Sequence, residues 1–189
     1  AYEIVSRDWS SDVCSSDLKQ FLRGVAWGEL DYLLVDLPPG TGDIAISLGQ
    51  LLPTAQTVVV TTPQVAAAEV AERSGSVGLQ TGQKVFGVIE NMAWFENIDG
   101  SRLELFGSGG GLAVANRLAE LQGSPVTVLG QVPISIPLRE GSDAGEPIVA
   151  ASAAGSPGED AASVALKEIA AKLAVNPLGL AGKKLKLSV

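Results

Sequence analysis

Aliphatic residues in this chain come in short runs that each end in polar or turn-forming residues, and stretches with helical spacing separate the runs. Leu33-Leu34-Val35 leads into Asp36, and Thr57-Val58-Val59-Val60-Thr61 into Thr62-Pro63-Gln64. Val85-Phe86-Gly87-Val88-Ile89 leads into Glu90-Asn91-Met92, and Val126–Leu129 into Gly130-Gln131-Val132-Pro133. Continuous apolar runs bounded by turn residues predict strands buried on both faces. Between them, Phe21, Leu22 and Val25 predict a short helix stopped by Gly28, and Ile44, Leu48, Leu51 and Leu52 a helical face ending at Pro53. An alanine-rich helix is predicted from about Val65, with Glu69, Glu72 and Arg73 on its wet side. Strands alternating with helices predict an α/β fold, a mainly parallel sheet with helices on both faces.

Three stretches break the rhythm. In residues 93–111, Trp94, Phe95, Leu103, Leu105 and Phe106 surround Asp99-Gly100, a two-residue hairpin signal. Gly107-Ser108-Gly109-Gly110-Gly111 then opens a helix near Leu112; without a Lys-Ser/Thr pair it reads as a flexible helix start, not a phosphate loop. Ser156-Pro157-Gly158-Glu159 has the form of a capping box with Pro at N1, opening a helix that buries Ala162, Ala165, Leu166, Ile169 and Leu173 and stops at Asn176-Pro177. Ser6 to Leu18 fits neither period and repeats Ser-Ser-Asp, so residues 1–18 read as a foreign leader. Residues 19–175 form the domain proper, and 176–189 a solvated basic tail.

Composition narrows the function. The 189 residues are 46% hydrophobic, enough for one buried core. A net charge of −8 argues against nucleic acid, whose phosphates select basic residues. No apolar run approaches the ~20 residues that span a bilayer, which points away from a membrane protein. One cysteine, Cys14, and no histidine exclude an internal disulfide, an ordinary zinc site and histidine acid/base chemistry. With no signal-peptide pattern at the start, the cytoplasm is the expected compartment.

The chemistry concentrates in Asp36-Leu37-Pro38-Pro39-Gly40-Thr41-Gly42-Asp43. A strand-terminal carboxylate is where open α/β sheets place ligands and where nucleotide hydrolases hold Mg²⁺ through water. Gly40 and Gly42 let backbone N–H groups approach a phosphate. The plainer alternative is a strand ending in a capping Asp and a Pro/Gly turn.

Taken in order, the Asp36–Asp43 loop, Val60-Thr61-Thr62-Pro63-Gln64, Gly87-Val88-Ile89-Glu90-Asn91-Met92, Phe106–Gly111 and Gly130-Gln131-Val132-Pro133 resemble the Mrp/ApbC iron–sulfur cluster carrier ATPases. These belong to the MinD/NifH-like, deviant-Walker-A P-loop NTPases. The resemblance covers nearly everything from Lys19 to the tail. It implies a homodimer that sandwiches two ATP molecules with Mg²⁺ and carries a labile iron–sulfur cluster to apo-iron–sulfur proteins. Asp36 would be the Walker B aspartate, and Asp36, Gly40 and Asp43 the catalytic set. Gly40 would offer its N–H near the γ-phosphate, with Thr41 and Asp43 shaping the loop. Asn91 would read the adenine edge, and Val132-Pro133 would flank the base. Two departures stand out: no deviant Walker A loop precedes Asp36, so the chain reads as the part of such a carrier lacking its N-terminal P-loop unit. The region after Met92 also lacks the Cys-x-x-Cys pair that many members of the family carry there. The same motifs leave open a MinD/ParA-type partitioning ATPase or a remnant that binds no nucleotide.

Overall fold

The structure is a computed structural model that describes residues 11–38, 42–151 and 159–175. β-Branched residues at Val85, Val88 and Ile89 favour a pleated strand packed on both sides, and they lie in β2 (Lys84–Glu96), around which the sheet is built. β1 (Gln56–Thr61) and β4 (Thr127–Ile134) flank it in parallel, and the two-residue β3 (Arg102–Leu103) pairs with its far end antiparallel. The result is a four-stranded, mainly parallel sheet.

Helices cover both faces. On one, Val59, Val85 and Val88 pack with Ala71 of α3 (Val65–Gln80) and with Val114, Ala115 and Leu118 of α4 (Gly110–Gln122). On the other, Leu129 and Val132 pack with Ala162 and Ile169 of α7 (Ala161–Val175), joined by Leu138 of α5 (Ile136–Ala144). Outside this frame lie α1 (Ser11–Gly24), packed on α2 (Asp43–Leu51), and the one-turn α6 (Ile148–Ala151).

The largest departure from expectation is the run before Asp36. It forms no strand: residues 32–37 pair with none of the described strands, and Leu33, Leu34 and Val35 are 37%, 85% and 40% exposed rather than buried. Aliphatic composition supplies the side chains of a strand, but a neighbouring backbone must supply the hydrogen bonds. Here the run is tethered instead by the Tyr32 hydroxyl, which donates to the Ala174 carbonyl at 3.1 Å.

Smaller corrections follow local chemistry. α1 begins within the stretch read as a leader and ends at Gly24, before the expected stop at Gly28. The hairpin loop is 97–101 rather than two residues, closed by the Asn97 N–H on the Ser101 carbonyl at 2.9 Å. The start of α7 is capped by Asp160, whose carboxylate accepts the Ala162 N–H at 2.8 Å. Ser156 to Gly158, read as the cap, lie outside the described residues, as does the basic tail.

Candidate functional site

In parallel strands the carboxyl ends share one rim, the usual ligand side of an open α/β sheet. Thr61 of β1 pairs with Glu90 of β2, which pairs with Gln131 of β4; one step further, Asn91 pairs with Val132. The sequence therefore does bring Asn91, Val132 and Pro133 together. After Asn91 the ladder slips, and pairing resumes only at Phe95 with Ile134. Pro133 has no N–H to offer the ladder, and Met92 takes φ 56°, a left-handed conformation rare outside glycine. Asn91 Oδ1 accepts the Met92 N–H at 2.9 Å, which orients the amide. The oxygen keeps a second lone pair, and among the described residues Nδ2 has no protein acceptor, so the amide retains one acceptor and its donors. That is the complement of an adenine edge, whose amino group donates and whose ring nitrogen accepts.

Behind this pair sits a charge that sequence reading passed over. Glu90 is 1% exposed, yet both carboxylate oxygens are used: Oε2 accepts the Gly111 N–H at 2.5 Å and Oε1 the Gln131 Nε2–H at 2.6 Å. The signal was available, since a carboxylate ending an otherwise buried strand must find donors.

The end of the glycine run, Gly110-Gly111, is close-packed, whereas a Cβ on Gly107 or Gly109 would meet open space. Gly109 caps α4 at φ 84°. A Cβ on Gly110 would lie 2.6 and 2.7 Å from the carbonyl oxygens of Pro63 and Thr62, and one on Gly111 would lie 2.9 Å from Glu90 Cβ. These glycines let the α4 N-terminus sit against the ends of β1 and β2. Thr62 Oγ1 and Trp94 Nε1, in the segments leaving this rim, are buried with no hydrogen-bond partner among the described residues.

The phosphate end is less assembled. Asp36 is exposed and belongs to no strand, so the expected strand-end placement does not hold for it. Asp43 is exposed in the first turn of α2, after the N-cap Gly42. Gly40 and Thr41 lie outside the described residues. Beyond the rim, the Arg102 guanidinium stacks 4.1 Å over the Trp94 ring, and an open groove of about 550 Å³ runs along Phe95–Asp99. Among the described residues no three His, Cys, Asp or Glu side chains gather as a metal-ligating group, and no helix is long and apolar enough to cross a membrane.

This rim, on a parallel sheet covered by helices on both faces, defines a MinD-like P-loop NTPase fold. The chain belongs to the ParA-class family described as NUBPL iron-transfer P-loop NTPase, whose profile matches residues 6–174. It is 48% identical over 179 residues to the iron-sulfur cluster carrier protein of Mycobacterium tuberculosis H37Rv, covering 95% of this chain and 46% of that protein. The protein of the same description from Mycobacterium leprae is 55% identical over 141 residues, covering 75% of this chain and 37% of the relative. The chain thus spans less than half the length of these relatives. Among solved structures, a nucleotide-binding protein from Archaeoglobus fulgidus in complex with ADP is 40% identical with TM-score 0.58, covering 70% of this chain and 53% of that one. MinD from Pyrococcus horikoshii, complexed with Mg-ADP, shares the fold at 20% identity and TM-score 0.59, covering 89% of this chain and 60% of that one.

Proposed function

We propose that this chain supplies the adenine-binding and switch portion of a homodimeric ATPase that delivers iron–sulfur clusters to apo-iron–sulfur proteins. The observation that carries this reading is the paired rung Asn91–Val132 at the ligand rim, set beside Glu90–Gln131. An iron–sulfur carrier at 48% identity and an ADP-bound structure at 40% support it from outside. In this reading Asn91 pairs with the adenine edge, and the Val132-Pro133 segment flanks the base. Asp36 holds Mg²⁺ through water, as a hard oxygen donor suits a hard cation. Gly40 offers its N–H near the γ-phosphate, and Thr41 and Asp43 shape that loop. Mg²⁺, when bound, neutralises charge on the β- and γ-phosphates. The cluster is cargo. Trp94, Phe95, Leu103 and Phe106 provide the dimer contact, with Leu103 and Phe106 exposed in the single chain.

Photolabelling of the whole chain with 8-azido-ADP tests this. Label should fall on peptides containing Asn91 or Val132-Pro133 and be competed away by ATP. Label confined to other peptides, or insensitive to ATP, would refute the reading.

A further inference from the structure

Resting on the reading of the rim as an adenine site, we infer that Glu90 is its positioning residue, a buried clamp that fixes the spacing of Asn91 and Val132. An ionised carboxylate is acceptor-only, and it meets two donors here, Gly111 N–H and Gln131 Nε2–H. Gly111 lies in the first turn of α4, where the helix dipole favours negative charge. The clamp therefore joins β2, β4 and α4 at one point.

Its position in the ladder gives the clamp its consequence. Glu90 immediately precedes Asn91, and Gln131 immediately precedes Val132, so the side-chain bond lies one rung behind the base contacts. Successive strand residues face opposite ways. Anchoring Glu90 on the α4 side fixes the backbone from which Asn91 projects on the other. The next residue, Met92, is held at φ 56°, a conformation that persists only when its surroundings enforce it. Without the clamp this bulge relaxes, and the Asn91 amide loses its register with Val132.

The inference separates positioning from mere support of the fold by base discrimination. Inosine carries a carbonyl where adenosine carries the amino group, so only a correctly held Asn91 amide prefers adenosine. The test is ¹H–¹⁵N spectroscopy of the whole chain titrated with adenosine and with inosine, following the Asn91 side-chain amide. The unsubstituted chain should prefer adenosine. Glu90→Ala should weaken adenosine by about tenfold, the scale of leaving buried donors unmet, and leave inosine unchanged. Glu90→Gln should restore the preference, because its oxygen can accept from Gly111 while its amide donates to a rotated Gln131. Gln131→Ala, at an exposed position, removes one arm without opening the core and should give an intermediate loss.

Full adenosine preference in Glu90→Ala would overturn the clamp while leaving the base site intact. If Glu90→Ala does not fold, full preference in Gln131→Ala does the same. Equal response to both nucleosides in the unsubstituted chain would overturn the adenine reading itself.

Discussion

Gln131 Nε2 donates to Glu90 Oε1 at 2.6 Å, across the same pair of residues that the β2–β4 ladder already sets side by side. The carboxylate's other oxygen takes the N–H of Gly111, so three elements converge where no larger residue fits. Alanine at Gly110 or Gly111 should therefore destabilise the fold. At Gly110 the new Cβ meets fixed backbone oxygens, and at Gly111 it meets the Glu90 side chain. Both substitutions should cost about 1–3 kcal/mol in urea unfolding, Gly110→Ala the more, as overpacking does where neighbours cannot move.

A second buried carboxylate, this one ion-paired, ties down the start of α7. Lys167 Nζ lies 2.5 Å from Glu159 Oε1, and the Glu159 side chain is only 4% exposed. Lys167→Met should cost about 2–3 kcal/mol, because it removes the cation paired with a buried carboxylate whose Oε1 also accepts the Ser163 hydroxyl at 3.0 Å. Adding Glu159→Gln should recover part of that loss, giving a favourable coupling in a double-mutant cycle.

The hairpin loop is organised by Asp99, whose carboxylate accepts the Ser101 hydroxyl at 2.6 Å and the Ser101 N–H at 2.9 Å. The Ser101 hydroxyl first, and its N–H second, hold the Asp99 carboxyl below its ordinary value. A depressed carboxyl pKa stabilises the fold above the unfolded-chain value and loses that contribution as pH falls through the folded value. The expected window is thus below the usual aspartate range. An NMR titration should find the Asp99 midpoint there, and Ser101→Ala should return it toward normal.

Much of this architecture was legible in the chain. The runs at Val58–Val60, Val85–Ile89 and Val126–Leu129 became strands because each found a parallel neighbour and helices for both faces. The run at Leu33–Val35 has the same composition and became none, since pairing is a property of the neighbour rather than of the run. At the site, Asn91, Val132 and Pro133 could be placed from strand ends alone. Glu90 could not be assigned its partners, because Gln131 and Gly111 are distant in sequence and meet only through register. The tightness at Gly110 is hidden for the same reason: it comes from the 62–63 backbone, which no local pattern reveals.

The 189-residue chain contains no Gly-Lys-Ser/Thr phosphate loop. Without that cradle, Asp36 alone cannot position a γ-phosphate. The chain should show no Mg·ATP hydrolysis above a blank in a phosphate-release assay. Turnover abolished by Asp36→Ala would contradict this.

Cluster binding through the hairpin region is likewise not expected. Its acidic groups are Glu96, Asp99 and Glu104, and hard carboxylates suit iron–sulfur clusters poorly. Asp99 is in addition engaged by Ser101. Joined to a phosphate-binding N-terminal unit, residues 19–189 should bind ATP yet gain no cluster through this hairpin on anaerobic reconstitution, by absorption and iron counting. A stoichiometric cluster lost on mutating Glu96 and Asp99, but kept when upstream cysteines are removed, would contradict that.

The base site itself is most directly tested by the affinity of the whole chain for ADP, measured by equilibrium dialysis. Asn91→Ala removes the amide proposed to pair with adenine, while Asn97→Ala removes an amide that serves only the hairpin loop, bonded to the Ser101 hydroxyl at 2.9 Å. Asn91→Ala should raise the Kd about tenfold, the worth of one well-formed side-chain–base pair, and Asn97→Ala should leave it unchanged. Equal affinities for the two variants and the unsubstituted chain would show that the adenine does not lie at this rim.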